Sequence, residues 1–375
     1  MILDILAIAI GCYAFIYVIV SVIIAIGEKR LKPRELPSEL PNVSVVICAR
    51  NEETDIGRCL ENLMKLDYPR DRLEIIVVND ESEDSTGDIL KEYTARDSMF
   101  RVLSTVDEPH DLPGKQRALN LGIRESTGEF VLATDADIVV RPGWVKGHLS
   151  AYHDNIGIAG STTRVDVSSG RLFDRLQCCE LITKHAVAMG CAGLGFPLSL
   201  MGNNISFRRE AYDLVGGFMK MNHSVVEDMA LMNFIVRRTK YTLGWVTEKR
   251  GVVVSTPEKD LGTFINQRFR WIYEVTDLSL IGKVMITVET LMVAAFLISL
   301  VTAPWNPLPL VATFLAWIFS YYIILQASQG KEKGDFWYIP LVLIFQIAEG
   351  FFLGGRNFFG SKTMVWKGRE YEKKA

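Results

Sequence analysis

Residues 130–137, Phe130-Val131-Leu132-Ala133-Thr134-Asp135-Ala136-Asp137, form an apolar run that ends in two carboxylates one residue apart. The part over Glu129–Thr134 reads as a buried strand. In an extended chain successive side chains alternate sides, so Asp135 and Asp137 point the same way. Two like charges side by side are costly unless a cation or proton lies between them. Something positive is therefore expected at this strand end. Upstream, Val43–Ala49 and Glu74–Val78 are short, apolar and β-branched, as buried parallel strands are. Between them Ile56, Leu60 and Leu63 recur at helical spacing. Ser85–Tyr93 reads as a second helix with Ser85 as its cap, Arg101–Ser104 as a third strand, and Gln116–Arg124 as a further helix. This order predicts an α/β domain built on an open, doubly wound, mostly parallel sheet.

Ligands of such sheets bind beyond the carboxyl ends of the strands. Three polar strand ends fall there: Arg50-Asn51-Glu52-Glu53, Asn79-Asp80-Glu81-Ser82 and Asp135-Ala136-Asp137. Carboxylates without neighbouring cysteine or histidine suit a hard divalent cation, Mg²⁺ or Mn²⁺. Such an ion is completed by a phosphate-bearing substrate and stabilises a diphosphate leaving group. No G-x-G-x-x-G follows the first strand and no G-x-x-x-x-G-K-[ST] occurs, which disfavours a dehydrogenase or a P-loop protein. Six cysteines without a C-x-x-C pair indicate neither a zinc site nor a disulfide framework. The net charge of -3 gives no reason to expect nucleic acid.

Of the 375 residues, 49% are hydrophobic, and the mean hydropathy is +0.18. The excess is concentrated in Ile2–Ile26, Val284–Trp305, Pro307–Ala327 and Phe336–Gly355. At ~1.5 Å per residue each is long enough to cross a bilayer core of ~30 Å. The first run lacks a basic n-region and a small-x-small cleavage site, so it reads as a retained anchor. Lys29, Arg30, Lys32 and Arg34 behind it place that flank in the cytoplasm. The expected organisation is a transmembrane anchor (1–27), a cytosolic domain (28–282, with halves 40–140 and 141–282), membrane helices (283–356) and a basic tail (357–375). Three later spans would put the tail outside, against its Lys362, Lys367, Arg369, Lys373 and Lys374. One apolar run is therefore read as re-entrant or interfacial. Leu172–Met189 reads as amphipathic and Ala192–Met201 as nearly uncharged: either a surface that guides a lipid or an ordinary core segment.

In this order the motifs resemble the membrane-associated inverting glycosyltransferases of family 2, the group of ceramide glucosyltransferase, hyaluronan synthase and cellulose synthase. The resemblance covers roughly residues 40–275. "VSVVICARNEE" (Val43–Glu53) is similar to the first nucleotide-binding segment, "VVNDES" (Val77–Ser82) carries Asp80, and "TDAD" supplies a D-x-D pair. "MGNNISFRREAYDLVGGF" (Met201–Phe218) is similar to the acceptor-side segment, "VVEDM" carries Glu227 and Asp228, and "QRFRW" (Gln267–Trp271) matches Q-x-x-R-W. The resemblance implies a GT-A-like fold. It also implies that Ala49, Arg50, Glu52 and Asp80 hold the nucleoside, a uridine. Asp135 and Asp137 then bear on the metal and diphosphate, with Asp137 the direct ligand. By the same resemblance Asp228 is the catalytic base, with Glu227 the alternative base or a structural cap.

Lys115, at a helix start, faces a phosphate or is an ordinary solvated lysine. Gln267 and Arg270 would serve the donor and Trp271 would wall the acceptor; the other reading of that stretch is a basic helix resting on headgroups. His185 and His223 read as ordinary. The tail "VWKGREY" looks like that of the ceramide glucosyltransferase branch, which lies on the cytosolic side. Asn79 departs from the family, which often has a second aspartate there. The activity expected is metal-dependent transfer of a hexose from a nucleotide-sugar to a membrane lipid, with a growing glycan as the alternative acceptor. A second alternative is a nucleotide-sensing membrane protein without catalysis. Four spans favour single transfer over a polymer channel.

Overall fold

The computed structural model describes residues 2–109, 111–112, 114–221, 224, 226–272, 279–359, 363–366 and 369–372. His223 and the lysines at 362, 367, 373 and 374 lie outside the described residues.

A long helix α1 (Ile2–Arg30) leads into the α/β domain. Its first half follows as β1 (Val43–Ala49), α2 (Ile56–Leu63), β2 (Leu73–Asn79), α3 (Thr86–Arg96), β3 (Phe100–Ser104), α4 (Gly114–Arg124) and β4 (Phe130–Asp135). Its second half contains α5 (Trp144–Leu149), β5 (Ile156–Gly160), β6 (Thr163–Val165), α6 (Leu172–Gly193), β7 (Asn204–Arg208) and α7 (Arg209–Leu214). It continues with α8 (Glu227–Arg238), β8 (Thr242–Trp245), β9 (Val253–Ser255) and α9 (Leu261–Ile272). The apolar helices α10 (Leu280–Thr302), α11 (Leu308–Ala327) and α12 (Ile339–Phe359) come next, and a small hairpin of β10 (Thr363–Trp366) and β11 (Arg369–Glu372) ends the described chain.

The strands expected from the apolar runs are all present, and the apolar side chains of β1 and β2 are fully or nearly buried. Burial on both faces is what a parallel strand between helix layers requires. The seven-stranded sheet has the order β3-β2-β1-β4-β7-β5-β8. Only β7 runs against its neighbours. The register sets Ala49 opposite Asn79 and Cys48 opposite Asp135, so the carboxyl ends of β1, β2 and β4 finish side by side. A second parallel pair, β6 with β9, lies beside the sheet and delivers Ser255 to the same edge.

Two expectations are corrected. Ser85 stands at the start of α3, but its side chain makes no cap hydrogen bond. The neighbouring Asp84 accepts from Thr86 N at 3.0 Å instead, its carboxylate reaching over the first amide of the helix. Leu172–Met189 is not amphipathic in place: α6 buries residues around most of its circumference, between the domain and the apolar helices. It is a core segment, and its polar residues find partners there.

The crossing of α1 and α6 depends on three glycines. A Cβ on Gly193 would lie 1.9 Å from the carbonyl oxygen of Gly27, and one on Gly190 would lie 2.3 Å from that of Ile24. Only residues without a side chain let the two backbones approach this closely. The helix that begins as an apolar anchor is thus fastened directly to the domain.

Four helices, α1, α10, α11 and the segment Asp335–Arg356, are long and apolar enough to cross a membrane. They share a buried cluster in which Ala14 and Tyr17 of α1 meet Trp317 and Tyr321 of α11 and Cys178 and Ile182 of α6.

Candidate active site

The strand ends open into one cavity of about 500 Å³. All twelve residues singled out above line it: Ala49, Arg50, Glu52, Asp80, Lys115, Asp135, Asp137, Glu227, Asp228, Gln267, Arg270 and Trp271. Residues from six separate segments thus converge, the most distant more than two hundred positions apart.

At the end of β1, Arg50 Nη1 donates to the carbonyl oxygens of Asp80 at 2.8 Å and Glu81 at 3.0 Å, clipping two strand ends together. Asn51 and Glu81 both adopt left-handed backbone, with φ of 53° and 56°. Such residues are costly and persist where surrounding bonds over-determine them. Here Asn51 accepts from Glu83 N and donates to Ser82 Oγ, so each loop holds the other. Asp80 is buried, and its Oδ1 accepts from Thr105 Oγ1 at 2.9 Å and from Arg117 at 3.3 Å.

The positive charge expected beside the strand-end carboxylates is Lys115. Its Nζ lies 2.6 Å from Asp135 and 3.1 Å from Glu227. A cation in the first turn of α4 opposes the helix dipole, and the two carboxylates offset that cost. Burial disfavours its charge, but Asp135 and Glu227 outweigh burial and hold the ammonium above its usual range. Lys115 is therefore not a solvated lysine. Asp137 turns elsewhere: its Oδ2 accepts from Ser255 Oγ at 2.8 Å.

Asp228 sits in the first turn of α8, where an acid suits the dipole. Met229 N donates to its Oδ1 at 2.7 Å, and Gly202 N donates to Oδ2. A Cβ at Gly202 would stand 3.0 Å from that oxygen, so glycine keeps the approach open. Burial and then the charge of Glu227 push Asp228 up to about 6, against Lys115 and the two amide donors. Near neutrality it is an ionised carboxylate that readily accepts a proton, as a general base requires.

Helix α9 closes the other side. Gln267 Nε2 donates to Glu258 at 2.7 Å, and the Arg268 guanidinium lies 4.0 Å from the centre of the Trp271 ring. Arg268 is buried against Glu180 of α6 at 2.6 Å. Trp271 and Met201 line the cavity and also pack against the cluster shared with the apolar helices. His185 is a core residue: Thr163 N donates to its Nδ1 at 3.1 Å, and burial depresses its pKa to about 4.

Sequence reading missed the partners that orient these groups: Thr105 and Arg117 on Asp80, Ser255 on Asp137, Gly202 on Asp228 and Glu258 on Gln267. Ser255 and Glu258 flank Thr256-Pro257, a breaker after an apolar run that marks a loop but not its destination. Nothing local marks Thr105 or Arg117, and Gly202 lies in the Met201–Phe218 segment without a sign there of its partner.

Eight carboxylates line the cavity against four cations, Arg50, Lys115, Lys259 and Arg270. A dianionic diphosphate enters such a field only with added positive charge. Among the described residues no three His, Cys, Asp or Glu side chains converge on one point. Two strand-end carboxylates lining a cavity with room for a diphosphate fit an oxygen-seeking divalent cation that the ligand itself completes. Asp137 and Asp135 are the residues that would hold it.

Residues 44–215 match the family described as Glycosyl transferase family 2, and residues 130–353 match Glycosyl transferase family group 2. The chain is 35% identical over 196 residues to the probable glycosyltransferase YdaM of Bacillus subtilis, covering 50% of this chain and 45% of that one. It is 26% identical over 224 residues to the beta-monoglucosyldiacylglycerol synthase of Trichormus variabilis, covering 58% and 47%. The chain thus spans about half the length of the relatives it matches. Its fold resembles that of the mannosyltransferase PcManGT from Pyrobaculum calidifontis, solved with GDP-Man and Mn²⁺. That match has a TM-score of 0.56 at 19% identity over 95% of this chain and 99% of the other.

Proposed function

Because the chain belongs to glycosyl transferase family group 2, we propose that it transfers one hexose from a UDP-sugar to the hydroxyl of a membrane lipid, with inversion, at the cytosolic face. The observation that carries this reading is the placing of the cavity. One part is built from Arg50, Asp80, Lys115 and Asp135; another is walled by Trp271 and Met201, which also pack against the buried cluster shared with the apolar helices. A polar donor and an apolar acceptor each find a matching wall. The relative named as a monoglucosyldiacylglycerol synthase supports a lipid acceptor.

In the reaction Asp228 accepts the acceptor's hydroxyl proton while that oxygen forms a bond to the anomeric carbon. The bond from that carbon to the diphosphate oxygen breaks, and its electron pair leaves with the UDP. A divalent cation bound by Asp137 and Asp135 would neutralise the charge that develops on the leaving diphosphate. Lys115 holds Asp135 and Glu227 together, and Arg270 presents planar donors toward the phosphates. Asp80, with Ala49, Arg50 and Glu52, receives the nucleoside.

The test uses the membrane-embedded chain with lipid extract, Mn²⁺ and radiolabelled UDP-sugars, counting organic and aqueous phases separately. A label of discrete size in the organic phase is expected, and its loss in Asp228→Asn with donor binding retained. A high-mass product in the aqueous phase would make the chain a polymer synthase, and near-native transfer by Asp228→Asn would remove the base.

A further inference from the structure

The helix α12 passes the length and composition test for a membrane span, yet the α/β domain touches it from one end to the other. Just before it, Asp335 forms a buried ion pair with Arg164 of β6 at 3.0 Å, and its carbonyl oxygen accepts from Cys179 of α6. The Arg175 guanidinium of α6 lies 5.4 Å from the Tyr338 ring centre. Midway, the Phe345 ring packs on Phe173 of α6 and Phe264 of α9, at 6.0 and 5.0 Å. One turn on, Glu349 is 3.5 Å from both Lys184 of α6 and Arg268 of α9. Near its end, Arg356 donates to Asn266 of α9, and its guanidinium lies 4.4 Å from the centre of the Phe269 ring.

From Asp335 to Arg356 the axis advances about 32 Å at ~1.5 Å per residue. A helix crossing the ~30 Å hydrocarbon core would carry its far end that distance from a domain resting on one surface. Here both ends stay on the domain. By contrast, α10 and α11 leave it: at their far ends Ser299 bonds Thr313 within the helix pair. At the near end Ser279 donates to Pro197, and Gln329 donates to Glu28 of α1.

The two faces of α12 differ accordingly. Gln346, Glu349 and Arg356 share the docked side, while Trp337, Leu341, Ile344, Phe351 and Phe352 lie on the other, with Trp337 84% and Ile344 64% exposed. At its start that exposed stripe adjoins the apolar surface of α11: Trp337 and Pro340 line one cavity with Leu315 and Phe319.

We propose that α12 lies along the bilayer surface, its apolar stripe sunk into the headgroup–acyl boundary of the leaflet on the domain's side, so that only α1, α10 and α11 cross. The occupant of the stripe is phospholipid, since the stripe adjoins α11, which crosses, and carries the exposed Trp337, a residue type favoured at the bilayer interface. Three crossings return the chain to the domain's side and put the hairpin of β10 and β11 there, in keeping with the basic tail. The docked face also ties Arg268, beneath Trp271, to the membrane plane through Glu349. This inference is independent of which sugar or acceptor is used.

The experiment uses the full chain in sealed vesicles on a background with all six native cysteines replaced by alanine or serine, with single cysteines at Asp154, Trp305, Lys333 or Glu370 and a membrane-impermeant maleimide. Labelling of Asp154, Lys333 and Glu370 sites from one side and of the Trp305 site from the other is expected. Glu370 reacting together with Trp305 would overturn the proposal. A nitroxide at Ile344→Cys should report a depth of about 5–10 Å below the headgroups; a reading near the bilayer centre, about 15 Å, would mean that α12 crosses. Disulfide-linked dimers through Ile344→Cys, with the label shielded from lipid, would assign the stripe to a second copy and also overturn it.

Discussion

Asp228 is the residue whose environment most constrains the chemistry. Burial and Glu227 raise its pKa, while Lys115 restrains the rise. A base must be ionised to act, so kcat/KM should fall as pH drops through about 6. Lys115→Met removes the restraining charge and leaves Glu227 facing Asp228 alone. The acid limb of its pH profile should then move to higher pH, alongside a lower overall rate. An acid limb at the wild-type position would show that Lys115 does not act on the base. In Asp228→Asn the transfer rate should drop by about 10²–10⁴-fold, the usual share of general-base help, with donor affinity, read by calorimetry, little changed.

Among the elements, the crossing of α1 and α6 is the one most sensitive to a single atom. Gly193→Ala places a methyl where the carbonyl of Gly27 already sits. The helices must separate, at a cost of about 1–3 kcal/mol typical of overpacking. For a chain of this size that corresponds to a melting point lowered by roughly 2–4 °C per kcal/mol. Gly11→Ala, on the same helix α1 with nothing within 4 Å of the added carbon, should leave the melting point unchanged. Equal melting points for the two variants would mean the crossing is looser than the close backbone approach requires. Sequence leaves helix α6 open between a lipid-guiding surface and a core segment, because a pattern of mixed polarity does not tell whether Glu180 and Lys184 face water or a buried Arg268.

At the scale of the whole molecule, the α/β domain and the apolar helices are joined by few but buried polar contacts. Arg164 and Asp335 form one of them, with side chains 5% and 6% exposed. Asp335→Ala leaves the buried Arg164 guanidinium with only the exposed Glu332, at 3.4 Å, as a carboxylate partner, and should cost about 3–5 kcal/mol. The double change Arg164→Met/Asp335→Leu removes both charges and should recover most of that loss. Thermal unfolding of the three proteins in the same detergent decides this; a double variant as weak as the single one would mean the pair contributes more than mutual neutralisation. The excess of carboxylates around the cavity, set by the assembled domain and not by any one loop, is likewise what makes an added cation necessary for a diphosphate.

Reading the chain alone reached the α/β class, β1 to β4 within a residue or two, and the twelve cavity residues. Those features are written locally: a buried parallel strand is a short apolar run, and the polar residues that follow it stand at the sheet's working edge. It left α6 open between surface and core, and did not reach the reversed β7, or Ser255, Gly202, Thr105 and Arg117 as partners of the site. Each of these depends on a segment brought in from elsewhere in the chain, for which local pattern carries no signal. The positive charge demanded by "TDAD" was legible as a need, and the expected cation was a metal. The fold supplies Lys115 at that place as well, because only tertiary packing brings the start of α4 within 2.6 Å of the end of β4. Apolar length marked four segments long enough to cross, and the basic tail pointed to one of them as re-entrant or interfacial without saying which, since length, composition and charge belong to the segment itself. Whether a helix stands across a bilayer or lies along it is decided by what docks against its other face, and that is a property of the folded molecule.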